Sequence, residues 1–163
     1  MFKKDGFVLR PPRAEDAELY YKNFDPLDPE VARLTGSKPH FTKEEVVGFF
    51  HKCLTDPDRQ DFLILSPEGE IIGETVINEL DRERSTANFR ITLFQPQWFG
   101  KGIGTWAVET TRDYAFRELG LEELTLGVYP FNPRAIHVYE KAGFRFTGEV
   151  EDGERIMAVR NSQ

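Results

Sequence analysis

Gln97-Trp98-Phe99-Gly100-Lys101-Gly102-Ile103-Gly104-Thr105-Trp106 holds the residue types best suited to gripping a ligand. Three glycines alternate with other residues, just after an extended run and just before a periodic helical one. Glycine lets the backbone turn with positive φ and lets an anion approach the main chain with no Cβ in the way. The first N–H groups of the following helix have no partner inside it and carry the positive end of its dipole. Lys101 adds a mobile positive charge at the rim. The chemistry implied is binding of a phosphate-bearing ligand. A tight turn that needs glycine only for its shape would look similar in isolation, so the downstream sequence has to decide.

Composition narrows the function classes. A chain of 163 residues is expected to form one domain, 1–163, with its core at about 7–160. Fourteen Phe exceed the usual share and indicate an aromatic core in preference to an apolar ligand channel. No run of about 18 apolar residues is present, and the first residues lack the apolar stretch of a signal peptide. Cys53 is alone, so no internal disulfide can form, and His40, His51 and His137 are scattered, so no metal site is expected. These features imply a cytoplasmic, metal-free protein with no membrane partner. The net charge of −7 argues against nucleic acid and favours cationic molecules, although solubility alone would also account for it.

The elements that must position the glycine loop follow from periodicity. Phe7–Arg10 reads as a strand ended by Pro11-Pro12, and 13–21 as a helix. Residues 25–40, with Asp25-Pro26, Asp28-Pro29 and Lys38-Pro39, read as a loop holding at most one helical turn at 29–32. Thr42-Lys43-Glu44-Glu45 has the form of a capping box and opens a helix to about Leu54, with Val46, Phe49, Phe50 and Cys53 on its buried face. Phe62–Leu65, Ile71–Leu80 and Thr86–Gln95 form a three-strand antiparallel meander. In the last of these, Phe89, Ile91 and Leu93 share one face and Asn88, Arg90 and Thr92 the other. After the loop, Ile103, Trp106, Ala107, Thr110 and Tyr114 recur at helical spacing. Leu124 to Val128 alternate as a half-buried strand. Asn132-Pro133 caps and starts a helix ended by Gly143, and Asp152-Gly153 joins two closing strands.

The second half thus combines Gly100-Lys101-Gly102-Ile103-Gly104-Thr105 with Asn132-Pro133-Arg134-Ala135 and Tyr139-Glu140-Lys141-Ala142-Gly143-Phe144. This closely resembles the GNAT acetyltransferases, and the Trp98-Phe99-Gly100-Lys101-Gly102 wording is most similar to the branch of RimJ/RimL-type ribosomal-protein N-terminal and spermidine acetyltransferases. The resemblance implies an α+β fold, an α/β/α sandwich with a mixed, mostly antiparallel twisted sheet of about seven strands and about four helices. It implies acetyl-CoA as co-substrate, a primary amine as acceptor (a protein N-terminus, a polyamine or a small amine), and it allows a homodimer. It places Phe99, Gly100, Lys101, Gly102, Ile103, Gly104 and Thr105 around the CoA pyrophosphate, the main chain of Ile91, Thr92 and Leu93 along the pantetheine, and Asn132 on the pantetheine arm. Asn132 serves equally well as a helix cap.

Acyl transfer to an amine also needs a proton donor for the departing thiolate and an acceptor for the amine's proton. Tyr139 is the donor implied by the motif, since a phenol with a pKa of about 10 can serve a thiolate with one of about 8.5. Outside such a motif it would read as a core tyrosine. Asn88 stands where relatives tend to carry Glu on the strand before the loop, so the base must be sought elsewhere. Glu74 and Glu79 lie five apart on one strand and should face opposite sides of the sheet, so only one can face the site; Glu74, well inside the strand, is the expected base. Arg90 and Asp81 are further polar candidates, and Asp25, Asp28 and Glu30 would suit a cationic acceptor. A non-catalytic acyl-CoA-binding domain is the competing reading. A dinucleotide-binding domain fits poorly, because the glycine loop comes after a meander and not in the first strand–helix unit.

Overall fold

The first five strands form an antiparallel run: β1 (Phe2–Lys4) and β2 (Phe7–Arg10) are joined by a short turn, residues 11–59 with three α-helices lead to β3 (Gln60–Leu65), and short turns join β3 to β4 (Ile71–Asp81) and β4 to β5 (Thr86–Leu93). The computed structural model describes residues 1–38 and 40–162, so Pro39 of the expected Lys38-Pro39 turn lies outside the described residues. β6 (Glu123–Val128) joins β5 in parallel, and the hairpin β7 (Arg145–Glu151) and β8 (Glu154–Arg160) closes the sheet in the order β1-β2-β3-β4-β5-β6-β8-β7. Helices α1 (Ala17–Phe24), α2 (Pro29–Thr35) and α3 (Lys43–Leu54) cover one face. On the other lie α4 (Ile103–Arg117) and α5 (Pro133–Lys141).

Among the described residues, eight strands and five α-helices exceed the expected seven and four by β1 and α2. β1 is too short for alternation to show in sequence. α2 grows out of a proline-rich stretch because Asp28 caps it, accepting from the N–H groups of Glu30 and Val31, with Pro29 at the first helical position, where no N–H is needed. The single turn expected there is therefore a seven-residue helix. α3 keeps its capping box: Thr42 Oγ accepts from Glu45 N, and Glu45 accepts from Thr42 N.

Phenylalanine fills the core, as its abundance suggested. Phe62, Phe89, Phe94 and Phe144 are fully buried, each worth roughly 2–3 kcal/mol of transfer free energy. Two expected burials are corrected. Phe49 is 58% exposed and lies beneath the Arg59 guanidinium, because α3 turns Val46 and Phe50 to the sheet. On α4 the fully buried stripe is Ala107, Val108, Thr111 and Ala115, while Trp106, Thr110 and Tyr114 are half-buried. The polar Thr111 is tolerated at the centre of that stripe because its hydroxyl pairs with Thr75 of β4 at 2.8 Å, which fixes α4 against the strand.

Candidate active site

β5 and β6 pair only across Thr86–Asn88 and Glu123–Thr125. Beyond those residues the two strands part, and β5 keeps β4 while β6 keeps β8. Their facing edges expose main-chain donors and acceptors without a ladder partner, and buried groups of that kind need one. The gap opens into a cleft of about 990 Å³, lined by Ile91, Thr92 and Leu93 on one side and by Leu126, Gly127 and Val128 on the other.

The glycine loop closes one end. Gly100 and Gly102 take φ of +70° and +81°, and a Cβ at either would meet nothing within 4 Å, so the conformation and not crowding calls for glycine. Gly104 differs. It lies in the first turn of α4 with ordinary φ, and a Cβ there would touch only Leu93 Cδ1, at 3.9 Å. Neither shape nor packing of the protein requires glycine at 104, but close approach by a ligand would. α4 begins at Gly102 with no side-chain cap and no acidic residue in its first turn. Its first N–H groups are therefore left for an anion.

Phe99, Gly100, Gly102, Gly104, Thr105, Asn132 and Tyr139 all line the cleft. Two expected residues do not. The Ile103 side chain is buried in the core, which leaves only its main chain toward the loop, and Lys101 stands exposed with its ammonium over Trp98 at 5.8 Å. Arg134 lies 4.7 Å over the Phe99 ring, joining the start of α5 to the loop. Asn132 caps α5, accepting from Ala135 N at 3.3 Å.

Tyr139 is 6% exposed, packed edge-on to Phe89 and tilted against Phe144. Its hydroxyl bonds to no described residue, yet no described buried side-chain polar atom lacks a partner, so the hydroxyl opens to the cleft. Burial pushes its pKa above the ordinary phenol value, with Arg90 pulling the other way. It stays protonated and donating at neutral pH.

Glu74 is placed differently from expectation. It lines not the main cleft but a second cavity of about 20 Å³, room for one water, between α1, α3 and the sheet. Tyr20 of α1 donates its hydroxyl hydrogen to Glu74 there, and the Arg59–Asp61 pair, at 2.8 Å, lies in the same pocket. Burial raises the Glu74 carboxyl to about 7, and the bond from Tyr20 partly offsets that rise. Cys53, in the same pocket, is pushed up to about 11 by burial, so its thiol is no nucleophile at neutral pH. The other expected acidic residues are occupied by structure. Asp25 accepts from Phe41 N, Asp28 caps α2, Glu30 pairs with Arg33, and Asp81 accepts from Arg84 N.

The expectation that Glu74 and Glu79 face opposite sides also fails. Glu79 has φ +53° at a bulge in β4 and lines the cleft. Nothing in the sequence signals that bulge, since the left-handed position holds glutamate where glycine would be usual. Arg90 lines the cleft as well, and Asn88 donates to Asn78 Oδ1 at 2.9 Å.

Gly104→Ala should keep or raise the melting temperature, because alanine is the better helix former by up to about 1 kcal/mol. It should nevertheless weaken acetyl-CoA binding at least tenfold by calorimetry, and unchanged affinity would remove the loop from the ligand. Glu74 gives a linkage test. A folded pKa of about 7 against an ordinary 4.5 means the stability due to the protonated form is full below about pH 4.5 and lost as pH rises through 7. The loss is on the order of 3 kcal/mol. The melting temperature of Glu74→Gln minus that of wild type should therefore climb between pH 5 and 8; a constant difference would contradict the raised carboxyl.

Residues 7–145 match the acetyltransferase (GNAT) domain family. Spermidine N(1)-acetyltransferase of Escherichia coli K12 is 32% identical over 142 residues, 87% of this chain and 74% of that protein. A probable N-acetyltransferase of Bacillus subtilis, YjcK, is 45% identical over 167 residues, 98% of this chain and 91% of that one. The structure of spermidine N-acetyltransferase from Vibrio cholerae in complex with CoA and spermine has a TM-score of 0.82 over 98% of both chains at 22% identity, a likeness of fold. No helix among the described residues is long and apolar enough to cross a membrane. The chain belongs to the GNAT acetyltransferase family, as an N-acetyltransferase that passes the acetyl group of acetyl-CoA to a primary amine.

Proposed function

We propose that the acceptor is a polyamine-like molecule with more than one positive charge. The observation that carries this reading is the lining of the cleft. Glu79, Glu123, Glu149, Glu151, Asp152 and Glu154 face it against Arg90, Arg134 and Lys141, and Arg134 belongs to the glycine-loop end. A cleft with this charge balance attracts cationic amines and disfavours acidic acceptors. The spermidine N(1)-acetyltransferase relatives agree with it.

In the proposed reaction the first turn of α4 and the loop hold the pyrophosphate, and the free edge of β5 at Ile91, Thr92 and Leu93 pairs with the pantetheine amides. Asn132 borders the arm. The amine, having lost one proton, attacks the thioester carbonyl carbon directly, and a β5 N–H stabilises the oxyanion. The carbon–sulfur bond breaks, Tyr139 gives its proton to the thiolate, and the second proton leaving the nitrogen restores the phenol. The first proton passes to water in the cleft, because the Glu74 carboxyl, the expected base, is turned into the small cavity with Tyr20. Cys53 lies outside the cleft with a raised thiol pKa, which supports direct attack without an acyl-enzyme. A cytoplasmic setting belongs to the same reading, as does assembly into a dimer or larger form; the V. cholerae enzyme is known in a dodecameric structure.

The test is thiol release from acetyl-CoA with spermidine, spermine, a monoamine and an N-terminal peptide. Spermidine or spermine should exceed the monoamine in kcat/KM by at least about tenfold; preference for the peptide or monoamine would overturn the polyamine reading. On the preferred acceptor, Tyr139→Phe should lower kcat at least tenfold with acetyl-CoA affinity nearly kept. Unchanged turnover would remove Tyr139 as the acid.

A further inference from the structure

Regular alternation along β4 would send Glu79 toward α4, with Thr75 and Ile77. The register between β4 and β5 instead shifts between Asn78 and Asp81. Leu80 takes the core-facing place and packs against the α4 cluster, while Glu79 joins Asn88 and Arg90 on the cleft wall. Among the described residues four non-glycines have positive φ. Asp5, Ser85 and Asp152 stand in turns between strands, and Glu79 alone stands inside a strand. A bulge of this kind re-aims a side chain, and the left-handed position it creates is one that glycine or asparagine fills with less strain.

Three facts give the re-aimed carboxylate a use. It makes no hydrogen bond or ion pair with a described residue, and it is exposed. It is the one carboxylate that β4 and β5 contribute to the cleft lining. Its neighbour across the strands, Asn88, is neutral and tied to Asn78. On the same wall Arg90 of β5 repels a cation, which leaves Glu79 of β4 as the place on the β4–β5 wall where an ammonium group is attracted.

We propose that Glu79 holds an ammonium group of the acceptor other than the reacting nitrogen, and so sets preference for amines with more than one charge. This rests on the polyamine reading and assigns it a residue. A monoamine has no second ammonium to offer, so Glu79 should be indifferent to it. The proton of the reacting nitrogen does not involve Glu79.

The experiment compares wild type, Glu79→Gln and Glu79→Gly in kcat and KM for spermidine and for butylamine at saturating acetyl-CoA, with acetyl-CoA Kd and melting temperature measured in parallel. Both variants should raise the spermidine KM at least fivefold, with kcat, the butylamine KM and the acetyl-CoA Kd all within twofold of wild type. Glu79→Gly should melt at or above wild type, since it relieves the left-handed backbone, so its defect cannot come from unfolding. An unchanged spermidine KM, an equal rise for both amines, or a lower melting temperature of Glu79→Gly would overturn the assignment. If wild type itself shows no preference for spermidine over butylamine, the polyamine reading fails before the variants are compared, and the role of Glu79 falls with it.

Discussion

Two parallel strands, β5 and β6, hold together across three residues and then separate, leaving main-chain donors and acceptors on both edges without partners. A sheet interior does not leave such groups empty without cost. Everything around the gap serves either to keep it open or to supply what enters it. The chain leaves β5 through Pro96 and the glycine loop, crosses one face of the sheet as α4, and returns as β6. The Thr75–Thr111 bond fixes α4 to β4. α5, capped by Asn132, brings Tyr139 to the edge of the opening. In the reaction proposed above, an extended ligand with amide groups would satisfy the free edge as an added strand does, with a phosphate at its far end at the start of α4.

The two faces of the sheet are used differently. Under α1 and α3 the polar groups are closed off in pairs, Tyr20 with Glu74 and Arg59 with Asp61. Where those helices stop covering the sheet, the same face continues as an open wall on which Arg90 and Glu79 bond to no other described side chain. The first region orders its charges internally, and the second leaves them for a substrate. The difference explains why Glu74, though a titrating carboxyl near pH 7, is poorly placed to take a proton from the cleft.

Much of this was legible in the residues. The glycine spacing, the Thr42 and Asn132 caps, the alternation of Phe89, Ile91 and Leu93, and the Asp152-Gly153 turn are local signals with local causes, and the structure bears each of them out. The separation of β5 from β6 depends on which strands pair, and no single stretch encodes it. Parity misjudged Glu79 because one left-handed residue flips the faces that follow. The helical spacing misjudged Phe49 on α3 and Trp106, Thr110 and Tyr114 on α4, since α3 and α4 settle their rotation against the sheet by packing and, for α4, by the Thr75–Thr111 bond. α2 was underestimated because prolines mark a turn in sequence, whereas Pro29 here starts a helix.

The central claim is that the free edge of β5 and the first turn of α4 together receive acetyl-CoA. Amide hydrogen exchange with and without acetyl-CoA tests it directly. Exchange should slow at Ile91, Thr92 and Leu93 and at Ile103, Gly104 and Thr105, with little change in β1 to β3. Protection confined to other segments, or none at these six amides under saturating acetyl-CoA, would contradict it.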